Sequence, residues 1–218
     1  MLFRSPGESC SLDGTTVTGN VRIAAGANLM VTGGRFNREV QIAADGFLDA
    51  TNTKVDGQIV LAPGGFGIFL KDTEIGSVNV QPKGAATREG FLFLDHAMVN
   101  GTVTSAVGDV RLENGSEVGT DINTDGTFYT DVRDSFVDGA LNIRNNSAGS
   151  VICGSAVQGV SSFTGNAGVQ LGPNGSLASC ASGGYFARDV TIANTSQGTR
   201  VDDNIINGTL TQIGRAHV

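Results

Sequence analysis

The sequence predicts an all-β protein, a single-stranded, right-handed parallel β-helix of about ten rungs of roughly 19–20 residues. Three observations predict it: a recurring apolar-x-Gly-x-apolar-x-apolar unit, the near-constant spacing of that unit, and a composition suited to tight turns.

The unit is clearest at Val17-Thr18-Gly19-Asn20-Val21-Arg22-Ile23, which turns through Ala24-Ala25-Gly26-Ala27-Asn28 and continues as Leu29-Met30-Val31. It recurs from Phe36, Val55, Val99, Val118, Val137, Val157, Phe186 and Val201, with a degraded copy from Ile75. Most steps from one start to the next equal a single rung; those after Ile75 and Val157 are longer, and the one after Phe186 is shorter. Apolar residues alternating with polar ones point to opposite faces of a strand. Each rung carries such a strand twice, as Val21/Ile23 and then Leu29/Val31. A single rung cannot cover its own inner face, so equivalent strands must stack in parallel at about 4.8 Å. Val21, Ile23, Val40, Ile42, Ile59, Leu61, Val103, Ile122, Leu141, Ile143, Val190 and Ile192 share the inward phase and are expected to form buried ladders. The glycine at the third position is expected to let the chain bend, while nearby Asn, Asp and Thr bond turn amides.

Composition agrees. Gly 32 with only 4 Pro, no Trp and 16% charged residues fits many short strands rather than helices, and 39% hydrophobic content can supply a continuous core. The net charge of −7 comes with no Lys/Arg cluster, so a phosphate backbone would meet repulsion and nucleic acid is not an expected partner. No apolar run approaches the roughly 18 residues of a membrane span. Two stretches interrupt the beat, 82–90 and 173–185, and are expected to loop outward.

Both ends read as cut. Met1-Leu2-Phe3-Arg4 carries no signal-peptide pattern, and Ile213-Gly214-Arg215-Ala216-His217-Val218 reads as a translated sequencing adapter. The expected repeat domain is 1–212, truncated at both ends, with 213–218 an artefact.

The segment Cys10-Ser11-Leu12-Asp13-Gly14-Thr15-Thr16-Val17-Thr18-Gly19-Asn20-Val21, followed by Ala25-Gly26-Ala27-Asn28-Leu29, resembles uncharacterised secreted bacterial β-helix repeat proteins. Their rungs read C-T-L-D-G-x-T-V-x-G-N-V and then a G-A-x-L turn. The likeness is close over two rungs and loose from Phe36 to Gln212, where Gly57, Gly101, Gly139 and Gly159 keep the beat. It implies the fold and secretion, hence an extracellular or cell-surface location, and no activity. In that family an earlier rung usually supplies another Cys, so Cys10 is expected to have lost its partner. Cys153 and Cys180 are left either to bridge or to remain thiols, and their separation is not a whole number of rungs.

Carboxylates are the remaining chemistry. Asn123-Thr124-Asp125-Gly126 resembles the start of the polygalacturonase Asn-Thr-Asp-Gly-x-Asp motif, and Asp202-Asp203 resembles that family's paired aspartates. Phe128 stands where the motif's last Asp belongs, and the Gly-His-Gly and Arg-Ile-Lys elements are missing. Asp125, Asp202 and Asp203 are therefore weak catalytic candidates, and rung counting puts Asp125 and Asp202 at different points of the cross-section. Asp131, Asp134 and Asp138 are weak Ca²⁺ candidates without calcium-loop spacing, better read as solvated turn residues. His96, isolated between Asp95 and Ala97, reads as a turn side chain. Tyr129, Tyr185 and Phe128 are candidates for stacking on sugars. No cofactor is implied. The expectation is a non-catalytic extracellular or cell-surface module, structural or adhesive, contacting glycans or other surface polymers. The alternatives are a carbohydrate-active or phage-tail fragment and a polymer-forming scaffold associating end to end through exposed strand edges.

Overall fold

A computed structural model of the chain describes residues 2, 3, 7 and 9–214. Arg215 to Val218, the larger part of the adapter-like segment, lie outside the described residues, as do Met1, Arg4, Ser5, Pro6 and Glu8. Ile213 lies inside them: the strand Leu210–Ile213 runs beside Val190–Ala193, with Ile213 opposite Ala193.

Among the described residues the protein is all-β, without helix, and its parallel strands stack as a β-solenoid of about ten turns. One wall is a broad sheet of mostly five-residue strands, which follow each other as Ser9–Asp13, Asn28–Thr32, Phe47–Thr51, Gly67–Lys71, Phe91–Asp95, Asp109–Glu113, Tyr129–Arg133, Gly149–Cys153, Val169–Leu171 and Thr199–Val201. The other wall is a bent sheet in which most rungs contribute two short strands, such as Thr16–Val17 and Val21–Ile23. A third strand segment thus joins the two expected per rung. In the rungs Lys54–Leu61 and Glu74–Val80 the two short strands fuse, and a register shift between Ile75 and Ser77 absorbs the residue that the degraded copy lacks.

All twelve residues with the inward phase are buried, with exposures of 0–1%. The last rung differs from the expectation. Phe186 stacks on Ile206, not Val201, so the final step is a full rung rather than a short one. Val201 belongs to the broad sheet opposite Leu171, and Ile205, the expected apolar partner of Val201, is exposed.

The glycine beat has a different cause from the expected one. Gly57, Gly101, Gly139 and Gly159 do not have positive φ. Each sits at the corner of the bent sheet, between the two short strands or, for Gly57, within the fused one, where a neighbouring rung's backbone closes in: an added Cβ would stand 2.6 Å from Arg38 C at Gly57 and 2.4 Å from Gly139 C at Gly159. The missing side chain lets main chains pack at the corner. Left-handed residues occupy another corner instead, after each broad strand. There Asn52, Asp72, His96 and Asp134 take φ of 46–51°, and their amides each donate to a carbonyl one rung on. Asn and Asp tolerate this region well; the sequence uses them where other rungs use Gly14 or Gly33.

Candidate functional site

Among the weak catalytic candidates, Asp125 lies on the opposite wall from Asp202 and Asp203. Asp125 ends a strand of the bent sheet, accepts a hydrogen bond from Asn145 Nδ2 at 2.7 Å and lies beside Arg144. Asp202 and Asp203 follow the strand Thr199–Val201 on the other wall. The Asn174 amide and then the Arg200 guanidinium hold the Asp202 carboxyl below its ordinary range, both bonded at 2.7 Å. A carboxyl so stabilised as an anion is poorly suited to act as a general acid. Asp203 is a left-handed turn residue with φ 54°.

The calcium candidates are equally dispersed. Asp131 is buried and already faces a cation, with Arg133 Nε 2.8 and 2.9 Å from its two oxygens. Asp134 occupies the left-handed corner, and Asp138 follows the strand Phe136–Val137 on the bent sheet. Among the described residues no group of three or more His, Cys, Asp or Glu is placed to share an ion. His96 is the turn residue expected, its Nδ1 2.7 Å from Asp72 Oδ1 one rung below.

What the fold does bring together is aromatic. Along the broad sheet, inward Leu48, Ile68, Leu92 and Val110 alternate with outward residues that stack in columns from rung to rung. The first outward column reads Phe47, Gly67, Phe91, Asp109, Tyr129 and the second Asp49, Phe69, Phe93, Arg111, Asp131. Phe66 and Phe128, at the turns entering this face, are exposed by 40% and 51%. Seven of the chain's 11 Phe and 2 Tyr therefore gather on one surface.

The rings touch. Phe91 and Phe93 stand 4.6 Å apart, Phe47 and Phe91 5.9 Å, and Phe66 meets Phe47 and Phe91 edge-on at 5.6 and 5.5 Å. Gly67 makes this possible, since a Cβ there would stand 2.3–2.6 Å from three Phe91 ring atoms. Near-equal distances to three ring atoms mean that Phe91 lies flat over the glycine. Two guanidinium groups complete the surface: Arg88 lies 5.2 Å from the centre of Phe66, and Arg111 lies between Phe93 and Tyr129 at 5.2 and 5.9 Å. These are cation–π distances. Two shallow clefts meet at Phe93. One, of 270 Å³, includes Glu89, Phe91, Asp109 and Phe128, and the other, of 160 Å³, includes Phe69, Asp95, Arg111 and Glu113.

Both insertions border this surface. The loop 82–90 carries Arg88, which also pairs with Asp45 at 3.0 Å. The segment 173–184 folds back as a strap over the later strands of the broad sheet. Cys180 forms a disulfide with Cys153, and Arg133 Nη1 donates to Ser179 O at 3.1 Å. The Gln170 amide accepts from the Leu177 and Ala178 N–H groups and donates to Ala178 O and Gly172 O, at 2.8–3.1 Å. Leu177 would meet a Cβ at Gly149 at 2.9 Å, so it lies on that glycine. Asp131 and Val151 are sealed by this cover. The bridge falls out of step with the rungs because the strap turns back on itself. Cys10 is a free thiol stacked on Leu29.

Of the sugar-stacking candidates, Phe128 and Tyr129 belong to the aromatic face. Tyr185 lies on the bent sheet, its hydroxyl bonded by Asn207 at 2.7 Å. A further cleft on the bent sheet, of 340 Å³, is lined by Arg22, Gln41 and Val60 with small alanines, and has no aromatic residue. No family model, no curated protein and no solved structure matches the chain.

Proposed function

We propose that this β-solenoid is a non-catalytic module that works at or outside the cell surface and contacts glycans through the aromatic face of its broad sheet. The single observation that carries this reading is the gathering of Phe47, Phe66, Phe69, Phe91, Phe93 and Tyr129 on one wall, with Arg111 between Phe93 and Tyr129. Flat rings with a few placed polar groups are what a sugar's apolar face and hydroxyls require. Support for the compartment is the Cys153–Cys180 disulfide, which suits an oxidising environment. Support for the absence of catalysis is positional: Asp125 and Asp202 sit on opposite walls, whereas glycoside hydrolysis needs two carboxyls roughly 5–10 Å apart across one bond.

The test has two arms. Affinity electrophoresis through gels containing plant, fungal and bacterial polysaccharides should show retardation by at least one of them. Incubation with the same polymers, pectins and alginates included, should release neither reducing ends nor unsaturated products. Unretarded migration on every polymer would sink the binding reading, and turnover lost in Asp125→Asn or Asp202→Asn would sink the non-catalytic one.

A further inference from the structure

We infer that Asn174-Gly175 is a self-modification site, where the Asn174 amide is lost to solvent water through a cyclic imide and the acid left behind frees the entering half of the strap from the broad sheet. This goes beyond the glycan reading and does not depend on it.

The chemistry is that of the residue pair. The Gly175 nitrogen, once it gives its proton to solvent base, attacks Asn174 Cγ; an N–Cγ bond forms, the Cγ–Nδ2 bond breaks, and Nδ2 leaves as ammonia. Water then opens the imide at either carbonyl and gives aspartate or isoaspartate, so the net exchange is water in and ammonia out. Glycine favours the attack because it has no side chain to crowd the ring and few limits on its backbone. The sequence offers four such pairs, Asn100-Gly101, Asn114-Gly115, Asn174-Gly175 and Asn207-Gly208.

The fold singles out one of them. The Gly101 and Gly115 N–H groups each donate to a carbonyl of a neighbouring rung at 2.7 Å, Gly76 O and Asp134 O, which occupies the nitrogen that would attack. Asn207 is held from both sides: its N–H donates to Phe186 O, its amide to Tyr185 Oη at 2.7 Å, and Gly208 is pressed against the main chain of Arg188 and Asp189. In the strap, Pro173 has no N–H, and among the described residues no N–H of 174–176 donates to a protein atom. Asn174 is exposed, at φ 62°, and Gly175 lines a 330 Å³ cleft with Ser176, Gln197 and Arg200, which admits water to the pair. The follower is also confined to glycine, because a Cβ there would run into the Gln170 side chain, whose amide is fixed by Gly172, Leu177 and Ala178.

The amide that is lost is the hydrogen bond that ties 173–176 to the sheet, since Asn174 Nδ2 donates to Asp202 Oδ2 at 2.7 Å. Being solvent-exposed, that bond opens locally at small free-energy cost. Conversion replaces the donor by an anion facing the Asp202 carboxylate, which keeps Arg200 as its charged partner. From Leu177 onward the strap retains Gln170, Arg133 and the Cys153–Cys180 bridge, so only its entering half comes free.

The experiment is peptide mapping by mass spectrometry of the whole chain aged at mildly alkaline pH, folded and in denaturant, with isoaspartate read by enzymatic methyl transfer. In the folded chain Asn174 should deamidate at least tenfold faster than Asn100, Asn114 and Asn207, and in denaturant the four rates should agree within severalfold. Aged protein and Asn174→Asp should both be cut within 173–176 severalfold faster than fresh protein by a protease of broad specificity. Asn174→Asp should also be cut faster than Asn174→Ala, which removes the bond without adding a charge. Asn174→Gln, whose longer side chain closes a less favourable ring, should show no increase in cleavage on ageing. Asn174 reacting no faster than the other three in the folded chain would overturn the site, and a preference for Asn174 that persists in denaturant would overturn the fold's part in choosing it. Deamidation at Asn174 that leaves the strap as resistant as before, in aged protein and in Asn174→Asp alike, would overturn the release.

Discussion

The rungs up to Leu112 and those from Ile122 to Asn166 enclose different interiors. In the first group the inward strand positions of the broad sheet are aliphatic apart from Cys10, which heads the column Leu29, Leu48, Ile68, Leu92 and Val110. In the second group Thr130 and Ser150 continue that column, Thr124 extends a polar break that begins at Ser105, and Ser161 breaks a second column of the bent sheet. The polar groups form a network. The Asn146 amide bonds Thr127, Thr130 at 2.9 Å and Ser150 at 3.1 Å, while its backbone N–H donates to Asn166 Oδ1 at 2.9 Å. Asn166 Nδ2 in turn donates to Ile143 O at 3.0 Å. One backbone architecture thus accepts either area burial or a nearly complete hydrogen-bond ladder, because the strand pairing that sets rung height is the same in both.

Breaking each interior separately tests that equivalence. Leu92→Ala should cost about 2–5 kcal/mol by lost transfer energy and a cavity, read as a fall in the denaturation midpoint with an unchanged slope. Cys180→Ser should cost about 3.5 kcal/mol on the chain-entropy account of a bridge at a sequence separation of 27. Its distinct signature is protease cleavage within 173–184 before the rest of the chain is cut, and a strap that stays resistant would show that Gln170 and Arg133 suffice to hold it. Asn146→Ala should cost about 1–3 kcal/mol because the Thr127, Thr130 and Ser150 hydroxyls lose a shared partner. A neutral result there would mean that those hydroxyls repartner among themselves.

The smallest effect is acid sensitivity. Lys54 and then Asn100 lower the Glu74 carboxyl; Asn114 and then Lys71 lower Asp95; Asn174 and then Arg200 lower Asp202. A carboxyl whose folded pKa is depressed contributes stability that is fully present above its unfolded value, about 4, and is lost as pH falls through the folded one. Asp49 has the opposite sign, since burial raises it and folding gains slightly as it protonates. Three partly exposed groups against one leave a small net loss of Tm between pH 5 and 3, checked by thermal melts in low salt, where surface pairs are least screened.

The stack is legible in the sequence because its two signals, inward alternation and the corner glycine, repeat at fixed distance along the chain. The last rung misleads because Val201/Ile205 and Ile206/Leu210 are both apolar pairs of the same spacing, and only the pairing of Phe186 with Ile206 chooses between them. The polar network escapes because Thr, Ser and Asn at inward positions look like turn residues. The aromatic face escapes for a related reason. Phe91-Leu92-Phe93-Leu94 reads as one apolar run, hiding that its two Phe face outward, and the other rings come from separate rungs that nothing local connects. Rung arithmetic leaves the disulfide open because the strap departs from the rung geometry altogether.

The glycine corner also says something about descent. A chain of repeated rungs accumulates substitutions copy by copy, and the inner columns here have already exchanged Val, Ile, Leu, Phe and Ser. At the corner the neighbours are main-chain atoms 2.4–2.8 Å from where a Cβ would sit at Gly57, Gly76, Gly101, Gly119, Gly139, Gly159 and Gly208. No second substitution in an adjacent rung can move a main-chain atom out of the way as a smaller side chain would. The glycine is therefore held wherever a neighbouring main chain closes in, whereas Arg38 and Arg188 occupy the same position in the rungs that start at Phe36 and Phe186.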